Sequence, residues 1–367
     1  MSKILKSPAK YVQGPDTLKN FDQYLQGMGN RLLIIISQSG TKRICPTLEQ
    51  CFAGKDYRLH YEIFQGECSQ NQIDRLVAVA QDQDSTVIVG IGGGKILDTA
   101  KGVAYYAGLP VIIVPTVAST DSPCSSLSVV YRENGEFERY LFLDTCPDMV
   151  LVDTTVISKA PVSLLVAGMG DAMATWFEAR ACRASGNDNQ VHAKPTRAAT
   201  GLASMCWDYL QRYGVQAKTD VEAGCCSEAV EIIVEVNTYL SSVGFESGGL
   251  AAAHAIQKGF TFIPQLHNLY HGNKVAFCTL TQLMLENAPE EELEAVLRFC
   301  CEVGLPICFA DMGYIQIDQE LLRLAAVKAC ANGSTIYNMP FAVTPAMVYD
   351  ALLAADAVGT KYRSEHL

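Results

Sequence analysis

Thr86-Val87-Ile88-Val89-Gly90-Ile91-Gly92-Gly93-Gly94-Lys95-Ile96-Leu97-Asp98-Thr99-Ala100-Lys101 is the stretch that decides the fold. The apolar run to Ile91 has the length and composition of a buried strand. Three glycines interrupt it, and a helical pattern resumes at Ile96. A strand, a glycine turn and a helix start make a ready anion site, because the first amides of a helix lack partners within it and the helix dipole favours negative charge. Successive glycines carry no Cβ, so a pyrophosphate can lie against the backbone. Gly93, Gly94, Lys95 and Asp98 are therefore candidate cofactor-binding residues. The pattern is neither G-x-G-x-x-G nor a Walker A loop. The alternative is a tight strand-to-helix turn with no ligand.

Outward from this turn, residues 1–160 alternate. Leu32–Ser37, Leu59–Phe64, Val87–Ile91, Val111–Pro115 and Met149–Asp153 read as strands, with helices at Asn71–Gln81 and Lys95–Tyr106 between them. That alternation predicts a parallel α/β sheet. Asn134-Gly135 between Leu127–Tyr131 and Arg139–Phe142 predicts a hairpin. Beyond about Pro161 the strand pattern stops. The rest reads as helices, among them Asp171–Ala184, Ser227–Val243, Leu250–Gly259, Lys274–Asn287 and Glu291–Val303. The expected organisation is an α/β nucleotide-binding domain over 1–160 and an all-α domain over 161–367. Ligands favour domain clefts and the carboxyl ends of parallel strands.

Composition narrows the function. The chain has 367 residues, 49% apolar and 18% charged, which fits a globular protein with a sizeable core. With 39 acidic against 28 basic residues the net charge is −11, a surface that repels nucleic acid. No apolar run approaches the roughly 20 residues of a membrane span, and the N-terminus lacks a signal-peptide core, so the expected location is the cytoplasm. The 14 cysteines include the adjacent pairs Cys225-Cys226 and Cys300-Cys301 and form no C-x-x-C motif. They read as reduced, mostly buried thiols.

In the helical half, Asp171 follows Gly168-Met169-Gly170 near an expected helix start, where the ordinary role of an aspartate is a cap. His254 ends a run of small residues, Gly248-Gly249-Leu250-Ala251-Ala252-Ala253, and His271 opens another expected helix. A lone histidine on an apolar face is ordinarily a satisfied core residue. Were the three to converge, two imidazoles and a carboxylate would make a three-ligand metal site with an open position. Glu178, Glu246 and His267 are further candidates as ligands or as supports for them. The loop Pro115–Pro123 offers hydroxyls to phosphate or ribose oxygens, and Asp121 can accept hydrogen bonds from a polyol. Its plain reading is a polar turn.

Taken in order, these blocks closely resemble the glycerol dehydrogenases of the metal-dependent, so-called iron-containing, alcohol dehydrogenase superfamily. The resemblance covers nearly the whole chain, through Gly66–Asp74, Gly90–Lys101, Pro115–Ser125, Gly168–Ala181, Asn237–Ala255 and His271–Asn287. It implies the dehydroquinate synthase-like architecture. It also implies reversible NAD-dependent oxidation of glycerol and related vicinal diols, and a homo-oligomer, commonly an octamer. The residues matching the family's cofactor contacts are Gly94, Lys95, Thr116, Ser119, Ser125, Leu127 and Tyr131. Those matching its ligands to zinc, or to Fe2+ or another divalent ion, are Asp171, His254 and His271. Asp121 matches the substrate-contacting aspartate. One departure stands out. Ser37, followed closely by Lys42 and Arg43, occupies the place of an acidic residue that holds the adenosine ribose, so NADP becomes an expected alternative to NAD. Two other readings remain: reduction of another small ketone, aldehyde or 2-oxo acid, and a non-catalytic nucleotide-binding module.

Overall fold

The computed structural model describes residues 2–366. The chain divides into two compact units, one of residues 6–160 with 224–226, the other of residues 2–5, 161–223 and 227–366.

The first unit is built on strands β1 (Tyr11–Gly14), β2 (Arg31–Ser37), β3 (Arg58–Phe64), β4 (Val87–Gly92), β5 (Val111–Pro115), β6 (Leu127–Tyr131), β7 (Phe137–Phe142) and β8 (Met149–Asp153). Its helices are α1 (Phe21–Tyr24), α2 (Gln38–Phe52), α3 (Gln70–Asp82), α4 (Gly94–Ala107) and α5 (Thr154–Ile157). Six strands form one sheet in the order β1-β8-β5-β4-β2-β3, and every pairing in it is parallel. The central strands β4, β5 and β8 are buried along their whole length, as strands covered on both faces must be. The half-buried β1 and β3 form the edges. From β2 the chain goes out to β3 and then returns past β2 to β4 and β5. The strand order therefore reverses between β2 and β4, and ligands of open α/β sheets bind at the carboxyl end of such a point.

The hairpin forms as expected. β6 and β7 pair antiparallel apart from the main sheet, and Gly135 takes φ +84° in their turn. Strand β1 has no counterpart in the sequence expectation. It is four residues long and half-buried throughout, so it carries neither an apolar run nor an alternation.

The second unit is helical: α6 (Val162–Ser185), α7 (Arg197–Glu222), α8 (Glu228–Glu235), α9 (Ser241–Gly248), α10 (Ala252–Gly259), α11 (His271–Glu286), α12 (Glu290–Val303), α13 (Gln319–Ala329) and α14 (Pro345–His366). A π-helical turn, Val236–Leu240, joins α8 to α9. The long helix α6 is buried on nearly every side, and α7, α9 and α11 pack around it. Residues 2–5 lie with this unit, where Lys3 bridges Lys194. Among the described residues no helix is long and apolar enough to cross a membrane.

Candidate nucleotide turn and metal centre

In the first unit, the carboxyl ends of β2, β4 and β5 stand side by side. They bring together Ser37, the Gly92–Gly94 turn and Thr116. Strand β4 and helix α4 pack closely at two glycines: a Cβ on Gly92 would lie 2.5 Å from Ile96 Cδ1. A Cβ on Gly90 would lie 2.6 Å from that of Ala100, so the helix could not pack so near the strand. Helix α4 begins at Gly94 without a side-chain cap, which leaves its first amides for an anion. A Cβ on Gly94 would sit 3.8 Å from the Ser122 hydroxyl and 4.0 Å from that of Thr120, so the turn and the hydroxyl loop face each other. The Thr116 amide donates to the Gly92 carbonyl at 3.0 Å and ties the two together.

Other cofactor candidates have partners within the fold. Lys95 Nζ lies 2.5 Å from Glu67 Oε1, and this lysine is half-exposed. The Asp98 carboxylate is buried, 3.4 Å from Lys101 Nζ, and accepts from the Val129 amide at 3.1 Å. Lys101, fully buried, also donates to the Ser122 carbonyl, the Ser125 hydroxyl and the Leu127 carbonyl. Asp98 and Lys101 thus pin the loop that carries Asp121, Ser125 and Leu127 onto α4. Burial pushes the Asp98 carboxyl up, opposed by Lys101. Tyr131 donates its amide to the Cys68 carbonyl, and burial pushes its phenol up to about 12. Ser119 and Asp121 are half-buried in the loop after β5, Asp121 just ahead of the short turn Ser122–Cys124. The Ser37 hydroxyl caps α2, accepting from the Gly40 amide at 3.0 Å. Lys42 and Arg43 follow on the exposed side of that helix.

In the second unit, Asp171, His254 and His271 converge. One ligand atom from each lies within 4.8 Å of the others. Asp171 Oδ1 is 3.4 Å from His254 Nε2 and 3.3 Å from His271 Nε2. Asp171 is not at a helix start, as its sequence context suggested. It sits deep in α6, because Gly168 and Gly170 do not break the helix. Gly170 instead makes room for another backbone. A Cβ there would come within 2.5 Å of the Gly272 carbonyl oxygen, and one on Gly272 would collide with the Ala167 carbonyl. The two glycines, each next to a site residue, bring α6 and α11 into direct backbone contact. His271 is the first residue of α11, as expected.

His254 is held from behind. Its Nδ1 lies 2.5 Å from Glu178 Oε2, so Nε2 is the nitrogen turned toward Asp171. His267 is elsewhere, with Nε2 against the Thr261 carbonyl, and Glu246 is buried in α9 outside the cluster. Gln282 has no signal in the sequence beyond its place in an apolar helix, yet it bonds the start of the helix that bears His254.

Two imidazoles and a carboxylate are the donor set of a catalytic divalent site. The electrostatics agree with it. Burial alone would push the Asp171 carboxyl up, but His271 and His254 hold it far below the ordinary carboxylate range. Burial alone would lower the His254 imidazole, yet Glu178 and Asp171 raise it well above its usual value. The pocket favours positive charge, and its residues fit a cation. The His271 side chain, 37% exposed against 1% for Asp171, marks the accessible side.

Comparison with known proteins is consistent with both halves. Residues 8–154 match the family model for iron-containing alcohol dehydrogenase. A glycerol dehydrogenase of Escherichia coli O6:H1 is 50% identical over the full length of both chains. A glycolaldehyde reductase of Halobacterium salinarum is 41% identical over 99% of this chain and 100% of its own. The crystal structure of glycerol dehydrogenase from Schizosaccharomyces pombe superposes with a TM-score of 0.95 at 34% identity, covering 99% of this chain and 93% of that one. Matched end to end at such identity, the chain belongs to the iron-containing alcohol dehydrogenase family.

Proposed function

We propose that the protein oxidises glycerol to dihydroxyacetone, reversibly, and acts on related vicinal diols. The reaction uses a nicotinamide cofactor and a divalent metal ion. Asp171, His254 and His271 are the ion's ligands, and zinc is the ion we expect. When bound, the ion would supply charge stabilisation to a substrate oxygen and orientation of the diol, and the nicotinamide would supply the hydride acceptor, with the hydroxyl proton passing to solvent.

The protein's own groups do the rest. Glu178 keeps the His254 ring turned so that Nε2 faces the ion's position. The uncapped start of α4 and the hydroxyls of Thr116, Ser119 and Ser122 receive the pyrophosphate and ribose oxygens. Asp121 accepts from a substrate hydroxyl. The observation that carries the reading is the convergence of three residues far apart in sequence into one cation-favouring cluster.

The first test is the initial rate of glycerol oxidation with NAD before chelation, after it, and after zinc is restored. Activity should vanish and return. Full turnover in verified metal-free protein would refute the reading. His254→Ala should abolish turnover and leave the circular dichroism spectrum unchanged.

Ser37 bears on the choice between NAD and NADP. A carboxylate at the end of this strand accepts from the ribose 2′-hydroxyl and repels a 2′-phosphate; a serine does neither strongly. We infer that NADP is accepted as well. The kcat/KM ratio should favour NAD by less than about a thousandfold, or roughly 4 kcal/mol, and Ser37→Asp should widen it while keeping the α2 cap.

The relative from Halobacterium salinarum named a glycolaldehyde reductase supports a second reading, reduction of a small hydroxyaldehyde at the same site. Comparing kcat/KM for glycerol oxidation and for glycolaldehyde reduction separates the two.

A further inference from the structure

Helix α10, which carries His254, starts without a cap of its own. Residues Ala251, Ala252 and Ala253 have no side-chain acceptor, and no capping group precedes them. A helix start leaves four amides without intrahelical partners. Here the amides of residues 251–254 are all satisfied by two side chains from other helices. Glu178 Oε1, from α6, accepts from Ala251 at 2.8 Å and from His254 at 3.0 Å. Gln282 Oε1, from α11, accepts from Ala252 at 3.1 Å and from Ala253 at 3.0 Å. The second Glu178 oxygen takes the His254 ring at Nδ1.

Glu178 therefore grips one residue twice, by backbone and by ring. Gln282 is fixed in turn, its amide nitrogen donating to the Phe177 carbonyl at 3.0 Å and to Glu286 Oε1 at 2.8 Å. Phe177 directly precedes Glu178, so the two capping side chains brace each other. Both are fully buried.

We propose that Glu178 and Gln282 form one positioning unit that sets the affinity of the site for its metal ion, by fixing both the place of His254 and the tautomer of its ring. The proposal rests on Asp171, His254 and His271 being the ligands. Groups that orient a ligating histidine are worth about 10- to 100-fold in metal affinity, and a buried cap holds the backbone that bears the ring.

The test is zinc affinity, measured on the full-length metal-free protein by competition with a chromophoric chelator, alongside thermal melting of the same metal-free samples. Gln282→Leu removes the acceptor for two amides and should bind zinc about 10- to 100-fold more weakly. Gln282→Glu keeps an acceptor for the two amides but loses the donor to the Phe177 carbonyl and sets a second carboxylate against Glu286, so it too should bind zinc more weakly, by about tenfold or more. Glu178→Gln keeps an oxygen for the backbone but turns an NH2 toward Nδ1. It should weaken zinc at least about tenfold with little change in metal-free melting.

A folded Gln282→Leu with parental zinc affinity would overturn the unit. If Gln282→Leu does not fold, Glu178→Gln decides: parental affinity there overturns the proposal as well. His254→Ala is the control for the underlying site. If it binds zinc as the parent does, or if the parent binds none, the ligand assignment fails, and that failure is distinct from a failure of the positioning unit alone.

Discussion

At the scale of single residues, the consequential choices are those where one atom more would undo the site. Gly272 is the clearest case. Its Cα lies so near the Ala167 carbonyl that any Cβ forces α6 and α11 apart, and Asp171 and His271 ride on those two helices. Gly272→Ala should destabilise the metal-free protein by about 1–3 kcal/mol and weaken zinc binding, seen as a lower melting temperature and a weaker chelator competition. Lys101 is a second case. It is buried among Asp98, two carbonyls and the Ser125 hydroxyl, so Lys101→Met would leave the Asp98 carboxylate buried without its cation. Denaturant unfolding should show a loss of about 3–5 kcal/mol. Asp98→Asn should weaken cofactor binding only through disorder of the loop that carries Asp121 and Ser125. An unchanged fold with a lost cofactor would instead make Asp98 a direct contact.

At the scale of elements, legibility followed local physics. Strands β2, β4, β5 and β8 are visible because burial on both faces demands unbroken Val, Ile and Leu runs. The hairpin is visible because Asn134-Gly135 has a turn to make. His271 is visible as a helix start, while Asp171 reads wrongly as one. The same glycines that look like helix punctuation serve a contact between helices, and nothing within five residues of Asp171 distinguishes the two uses. Strand β1 escapes because an edge strand of four half-buried residues has no pattern to show. The convergence of Asp171, His254 and His271 is invisible to spacing altogether. Resemblance to a family supplied it in the sequence, and helix packing accounts for it in the structure. Gln282 is the residue missed outright. A cap supplied from another helix leaves no mark beside the helix it caps.

At the scale of the whole molecule, ion binding and stability are linked. A ligand that binds only the folded protein stabilises it by about 2.7 kcal/mol at a hundred times its dissociation constant. For a unit of this size that corresponds to a rise of roughly 5–10 °C in melting temperature. Calorimetry with and without zinc should show that rise, and His254→Ala should lose it. The resemblance also proposes an octamer, which light scattering would read as about eight times the 39.8 kDa chain. A last consequence concerns the order of events as the chain folds. Residues 250–254 carry no instruction to begin a helix where they do, since Glu178 and Gln282 supply the cap from elements 73 residues before Ala251 and 30 residues after Ala252. The start of α10 must therefore wait until α6 and α11 have met. The competence to take up an ion is then among the last properties a newly made chain acquires, and a zinc-uptake signal during refolding should lag behind the recovery of helical ellipticity. The site doubles as the molecule's own certificate that its helical half has finished assembling.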